Sequence, residues 1–338
     1  MLLYNVATFL FVFIALNINH LSDDFECVML SGIIILYAIK SISVWANQDI
    51  IRNLKSRLRK AHLTSQSSIY LTNDSRIYLI SEKISTRLLT IANFGFSLNA
   101  IFTNLTSDSP ERVLVYKIYI PFNYQTIVPF ISTMIWQMVI SFYCCLYEIC
   151  TSGLLHGFVM ILASEFQLIG DSLRSFDYTK GIGDLKPIIQ KYQNLIEIAK
   201  ELESSFSFSN FATFIGSMIL ICFTILEIFT NQHQLIRNLV FLIFLVIMAN
   251  QMFFLCYYCQ KLETASKSVA ENLMKSNWNE LKNPNIRMAI HFSLMRAQKP
   301  IKLTAAKFAD INLETFKNIM KELTEFINKS PQLFLNCQ

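Results

Sequence analysis

Residues 238–260 read NLVFLIFLVIMANQMFFLCYYCQ, twenty-three side chains with no charge, no glycine and no proline. A helix needs about 20 mostly apolar residues to cross the hydrocarbon core of a bilayer. One such run also fits the buried core helix of a soluble protein, so its repetition decides. Residues 1–22, 27–48, 88–107, 118–147 and 204–226 repeat it, with Lys40 the one Lys, Arg, Asp or Glu among them. A lysine near a helix end can snorkel to the interface. The first run has no basic leader and no small-residue cleavage site, so it reads as a span and not a signal peptide.

The fold expected is therefore an all-α integral membrane bundle with six clear spans. Composition agrees: over 338 residues 53% are apolar and 16% charged, against about 25% charged in soluble domains. The few charges are gathered between the runs.

Their placement sets an orientation. Residues 47–87 carry Arg52, Lys55, Arg57, Arg59, Lys60, Arg76, Lys83 and Arg87, and residues 165–203 carry Arg174, Lys180, Lys186, Lys191 and Lys200. The chain is basic again from Lys261 to Lys307, while the first, third and fifth loops hold only Arg112, Lys117 and Arg237. Basic loops stay cytoplasmic, which puts the N-terminus inside, opposite to a G-protein-coupled receptor. Asn104-Leu-Thr106 is a glycosylation sequon on the expected outer side.

Catalytic chemistry has no foothold. His20, His62, His156, His233 and His291 lack zinc-ligand spacing, and there is no nucleophile elbow, phosphate loop or dinucleotide fingerprint. Cys256 and Cys259 stand without a second pair and read as small packing residues. His156 reads as a satisfied helix contact, and Glu148 as facing water or a basic partner. No cofactor, no metal and no nucleic-acid partner is expected.

The cytoplasmic parts are patterned. Leu154, Leu155, Phe158, Ile161, Leu162, Phe166 and Ile169 recur at helical spacing beyond the fourth run, so that helix should continue inward. Tyr192, Leu195, Ile196, Ala199 and Leu202 form a second stripe. Leu262, Ala265, Val269, Leu273 and Met274 extend the sixth run, and residues 286–296 form a short amphipathic helix.

The C-terminal third carries a specific motif. Met295-Arg-Ala-Gln-Lys-Pro-Ile-Lys-Leu-Thr-Ala-Ala-Lys-Phe308, followed by Ile311-Asn-Leu-Glu-Thr-Phe-Lys-Asn-Ile-Met320, resembles the signature of insect odorant receptors: Arg-Ala-x-x-Pro, Leu-Thr-Ala-Gly-Lys-Phe, Leu-x-x-Phe. Ala306 stands where that pattern has glycine. Weaker likenesses run through Pro121-Phe122-Asn123, through Leu155, His156 and Leu168, and through Gln251, Cys256, Tyr257, Leu262 and Ser266. A taste-receptor relative would carry Thr-Tyr-x-x-x-x-x-Gln-Phe, which is missing; a membrane solute transporter is the alternative from another class.

The resemblance implies a receptor subunit in the plasma membrane of olfactory sensory neurons. It would bind a volatile small-molecule odorant and join an olfactory co-receptor in a heterotetrameric cation channel. The implied pocket lies in the outer halves of the helices, where Ile33, Tyr37, Phe94, Leu98, Phe130, Met134, Gln137, Met138, Phe244 and Met248 are candidates. Each is also a natural lipid-contact or bundle-packing residue. Leu303, Thr304, Phe308, Leu313 and Phe316 are the candidate subunit anchor, within a cytoplasmic region spanning 260–320, and Asn312 is placed to cap a helix.

Two departures stand out. The first run begins at Met1, without the cytoplasmic arm of such receptors. Lys321, Glu322, Glu325 and Lys329 occupy what should be an apolar pore helix, and charges there are costly. The seventh helix is thus expected only as its cytoplasmic half, the chain cut short at both ends, both termini inside and channel activity impaired.

Overall fold

The computed structural model describes residues 25–64, 68–106, 112–116, 120, 122–176, 182–230, 235–276, 278 and 284–335. They form eight helices: α1 (Phe25–Ala46), α2 (Gln48–Thr64), α3 (Ser68–Thr106), α4 (Ile127–Arg174), α5 (Ile182–Thr230), α6 (Leu235–Met274), α7 (Pro284–Ala297) and α8 (Leu313–Leu335). A two-stranded ribbon, β1 (Thr304–Ala305) and β2 (Ala309–Asp310), lies between α7 and α8.

The all-α reading holds, but the count of six spans and half a seventh is corrected. Among the described residues four helices are long and apolar enough to cross a membrane: Arg76–Thr106, Ile127–Arg174, Gly183–Ile228 and Asn238–Met274. The expected span at 1–22 lies outside the described residues. In α1, 22 residues long, the stretch Ile35–Ala46 is the apolar helix among the described residues, below the length of a span. Its Lys40, Ser41 and Ser43 are buried inside the protein, so α1 turns a polar face inward. The expected half helix at the C-terminus is instead continuous over 23 residues. It is amphipathic: Ile319 and Leu323 are buried, while Lys317, Lys321, Glu322 and Glu325 are exposed.

Local chemistry explains the breaks. The side-chain Nδ2 of Asn47 donates to Ser43 O at 2.8 Å, satisfying a carbonyl at the end of α1. The basic stretch after it is helical. Ile51, Leu54 and Leu58 are the buried stripe of α2, and Arg52, Lys55, Arg59 and Lys60 cover its outer face. Arg57 reaches α5, donating to Glu201 and Asn194 at 2.6 Å each. Residues 88–106 of the charge-free run at 88–107 prove to be the second half of α3, whose 39 residues begin at Ser68.

The long α4 runs 48 residues, well past Tyr147 as the periodic leucines predict. It packs mainly on α6; α1 packs on α5, and α3 rests on both α4 and α6. The core sits at the far end of these helices. Leu162, Phe166 and Ile169 of α4, Leu195 and Leu202 of α5, and Leu262 and Val269 of α6 are all fully buried there. Burying Phe166 alone is worth about 1.5–3 kcal/mol. Gly170 lets α4 and α6 close in: a Cβ there would lie 2.8 Å from Asn272 Nδ2. In α7 the packed face is Ile290, Leu294 and Ala297, whereas Met288, Phe292 and Met295 are exposed.

Candidate ligand-binding site

Side chains three and four apart on a helix share a face. On α1 that rule places Ile33, Leu36, Tyr37 and Lys40 along one line, pointed at the crossing of α4, α5 and α6. There they border a cavity of about 20 Å³ with Ser217 and Leu220 of α5 and Met248 of α6. A second cavity of about 40 Å³ adjoins it, lined by Glu82 and Ser85 of α3, Glu148, Ser152 and His156 of α4, and Ser209, Asn210 and Thr213 of α5. Lys40, Glu148, Thr213 and Gln251 border both.

The shared wall holds a buried ion pair. Lys40 Nζ lies 2.6 Å from Glu148 Oε1, and the two residues are 7% and 3% exposed. Either charge alone would lose several kcal/mol of hydration at this depth, and the pair compensates only through its close geometry. The second carboxylate oxygen, Oε2, is buried and takes no hydrogen bond from any described residue. The same holds for Asn210 Nδ2, on a residue 3% exposed.

A second polar cluster forms the rim. His156 Nδ1 and Glu82 Oε1 are 3.0 Å apart, and the imidazole stacks on Tyr258 with ring centroids at 4.7 Å. The hydroxyls of Tyr258 and Ser81 are 2.7 Å apart, and Tyr78 donates to Gly153 O at 3.0 Å. Gly153 gives this cluster its room, since a Cβ would stand 3.1 Å from Glu82 Oε2. His156 is thus the satisfied helix contact that its sequence position predicts.

The ten pocket candidates part company. Ile33, Tyr37 and Met248 meet on the smaller cavity. Phe244 is buried against Phe96, ring centroids 6.5 Å apart, beside Phe241 and Tyr116. Gln137 is buried at the edge of that cluster. It accepts from Tyr116 N at 3.2 Å and donates to Tyr116 O at 3.0 Å, clamping the loop before α4. Met134 and Met138 are half-buried. Phe130 lies under the Arg112 guanidinium at 5.4 Å. Phe94 and Leu98 are 65% and 50% exposed and face out of the bundle. Asn104 of the sequon uses its amide internally, donating to Val113 O at 2.6 Å and accepting from Val113 N at 2.8 Å.

Glu148 meets a basic partner, one of the two readings its position allowed, whereas Lys40 had a signal in the sequence that snorkelling did not exploit. Lys40 is the lone Lys, Arg, Asp or Glu within 27–48, and Glu148 is the first charge after thirty uncharged residues. Two isolated opposite charges bordering apolar runs are candidates to meet. Asn210, Thr213 and Gln251 had no such mark.

The C-terminal candidates gather on the stretches of α5 and α6 whose neighbouring residues border the larger cavity. Leu303 is buried, and Thr304 Oγ1 donates to Glu203 Oε1 of α5 at 2.9 Å. Phe308 is 84% exposed but leans on Phe211. Leu313 packs against the core, and Phe316 meets Phe253 edge-on at 5.6 Å. Asn312 caps α8 as its position predicts: its Oδ1 accepts from Thr315 N at 2.8 Å. The hydrogen bond from Lys302 to Asp310 pushes the lysine pKa up.

Known proteins resemble this chain in sequence and in fold. The family model described as 7tm Odorant receptor matches residues 20–323. Odorant receptor 10 of Aedes albopictus is 23% identical over 327 residues, 91% of this chain and 85% of that protein. Odorant receptor 13a of Drosophila melanogaster is 24% identical over 335 residues, 90% and 80% of the two chains. The solved olfactory receptor OR5 from Machilis hrabei superposes with a TM-score of 0.80 at 14% identity, over 97% of this chain and 88% of that one. Its complex with eugenol gives 0.82 at the same identity and coverage.

Proposed function

The chain belongs to the insect odorant receptor family, a non-catalytic, multi-pass membrane class, and on that premise we propose that it is the ligand-binding subunit of an odorant-gated cation channel. The observation that carries the reading is the pair of cavities where α1, α4, α5 and α6 cross. Ligand sites between bundle helices are concave and mostly apolar, with a few placed polar groups. Ile33, Leu36, Leu220 and Met248 supply the apolar wall, and Glu148, Asn210 and Gln251 the polar groups. The solved olfactory receptor OR5 from Machilis hrabei, of related fold, takes eugenol, which supports a small volatile ligand here.

Pockets for drug-sized ligands run to about 300–1,000 Å³, far above the cavities here. The ligand of this chain is therefore small, and its entry displaces flexible side chains such as Leu36 and Met248. That displacement is the natural trigger for gating, because α4 and α6 continue from the cavity into the packed core.

An olfactory co-receptor completes the channel as a heterotetramer in the plasma membrane of olfactory sensory neurons, with the basic α2 region cytoplasmic. Leu303, Thr304, Leu313 and Phe316 hold the ribbon and α8 in place for subunit contact, and exposed Phe308 is the residue free to meet a neighbour. The exposed charges of α8 support a conducting path built mostly by the co-receptor.

Co-expression with the co-receptor, followed by current recording across an odorant panel, tests this. Odorant-gated cation current that needs both subunits is expected. Substrate flux by this chain alone would replace the reading with a transporter.

A further inference from the structure

We propose that residues 112–116 are a re-entrant strap that shuts the outer half of the bundle from within, and that a small phenol opens it by taking the place of the Tyr116 ring. This goes beyond the odorant-site reading above, since it concerns the approach from outside and stands apart from the cavities around Glu148. With α2 cytoplasmic, the connection between α3 and α4 lies on the outer side. Such connections normally run over the surface. This one goes inward. Val113 pairs with Asn104 near the end of α3, whereas Tyr116 pairs with Gln137 and Ser141, ten and fourteen residues beyond Ile127 in α4. At 1.5 Å per residue those positions lie about 15 and 21 Å from the start of the helix. Leu114 and Val115 between the two pairings are 6% and 8% exposed.

Backbone that is not helical persists at such depth only where the protein satisfies its polar groups. Two side-chain amides do so. Asn104 Oδ1 accepts from Val113 N at 2.8 Å, and its Nδ2 donates to Val113 O at 2.6 Å. Gln137 holds Tyr116 in the same two-point way, accepting from its N at 3.2 Å and donating to its O at 3.0 Å. Each amide stands in for one hydrogen-bonded pair of a β ladder, and rotation of two side chains releases what a strand would hold by backbone. Arg112 is fixed at the outer rim: its N donates to Gln125 Oε1 at 2.9 Å, and its guanidinium lies over Phe130. The strap therefore swings from Arg112, and Tyr116 is the end that leaves.

The place that Tyr116 fills describes what can replace it. Its ring lies against Phe96, centroids 5.7 Å apart, and its hydroxyl is 2.7 Å from Ser141 Oγ. Phe96 is braced in turn by Phe241 and Phe244 of α6. A free phenol repeats both contacts. An alkylbenzene leaves Ser141 unanswered, and an aliphatic alcohol lacks the ring that meets Phe96.

The test reads the strap in the full chain on intact cells. Val115→Cys, with Leu114→Cys as a second reporter, is labelled by a membrane-impermeant maleimide above the background of the wild-type chain. Labelling should be slow at rest and faster with p-cresol, which is the tyrosine side chain as a free molecule. p-Xylene, with a methyl in place of the hydroxyl, should need a roughly tenfold higher concentration, the worth of one hydrogen bond. Adding Ser141→Ala should erase that difference, and adding Tyr116→Ala should give fast labelling without any ligand. Labelling that is already fast at rest at both reporters, labelling that p-cresol does not change, equal potency of the two probes, or slow labelling in the Tyr116→Ala background overturns the proposal. None of these outcomes bears on the cavities around Glu148, so the odorant-site reading is judged separately by the current recording.

Discussion

The two halves of α4 are equally apolar to read and opposite in use. From Ile127 to Leu146 the large side chains Val128, Ile135, Val139 and Phe142 are exposed. From Gly153 to Leu173 most large side chains are buried and the other apolar ones partly so. Of the most apolar stretch of α4 only 11% is buried within the chain, against 50% for the Gly183–Ile228 helix and 44% for Asn238–Met274. The first half is apolar because its solvent is lipid; the second because its neighbours are α5 and α6. Hydrophobicity alone does not separate these cases, since a lipid tail and a leucine side chain are equally good partners. The ion pair of Lys40 and Glu148 stands at the border between them.

Breaking that border should have the largest effect. Glu148→Leu leaves Lys40 buried without its counter-charge, a loss of about 3–5 kcal/mol. The receptor should then fail to accumulate, measured as the folded fraction on detergent size-exclusion chromatography. Adding Lys40→Met restores a neutral wall, and the double variant should recover most of the folded yield. A double variant no better than the single one would mean that the pair holds α1 to α4 through geometry that apolar groups cannot replace.

The halves themselves can be set against each other by one kind of truncation. Leu162→Ala, at a site with no exposure, should cost about 2–5 kcal/mol. Ile135→Ala, on a residue 56% exposed, should stay within about 0.5 kcal/mol, as surface changes do. Melting temperatures in one lipid decide it. If Ile135→Ala costs as much as Leu162→Ala, the first half of α4 is covered by another subunit and not by lipid. Gly153→Ala is a gentler probe at the head of the packed half. Its Cβ would press on Glu82, and overpacking of this kind costs about 1–3 kcal/mol. The variant should also weaken the hydrogen bond between Glu82 and His156.

The packed half was the more legible of the two. Its stripe of Leu155, Phe158, Leu162, Phe166 and Ile169 keeps helical period, and periodicity records a protein neighbour on one side. The exposed half has no period, so the exposure of Val128, Ile135, Val139 and Phe142 there, like that of Phe94 and Leu98 on α3, is read only once the helices are placed. The span count differs at the N-terminal runs: 1–22 lies outside the described residues, and 27–48 falls on α1, whose described apolar stretch is Ile35–Ala46 and whose Lys40, Ser41 and Ser43 face inward. A charge-free run also marks where charge is absent, not where a helix begins: α3 starts twenty residues before its run does. The larger cavity was legible only through Lys40 and Glu148. Asn210 and Gln251 are polar residues of ordinary kind, and what makes them notable is the lack of a partner at Asn210, which only packing creates.

The smallest effect is expected where the packed end meets its ribbon. Ala306 and Lys307 take φ of 48° and 65°, the left-handed region that a Cβ disfavours by about 1–2 kcal/mol. The strain persists because the turn is held at both sides: Ala306 N donates to Ser207 O of α5 at 3.3 Å, and Phe308 N to Ala305 O at 2.9 Å. Glycine is the residue that the odorant-receptor pattern places at this position, and the φ supplies its physical reason. Ala306→Gly should therefore raise stability, but only by about 0.5–1 kcal/mol, because the freer unfolded chain offsets part of the relief. Ala305→Gly, on the paired strand beside it, should lower stability by a similar amount. A melting-temperature rise for the first variant and a fall for the second would show that the packed end carries strain which the lipid-facing end, made of regular helix, does not. If both fall, the turn is held so firmly by α5 that its left-handed backbone costs nothing measurable, and Ala306 is as well suited to the site as the glycine it replaces.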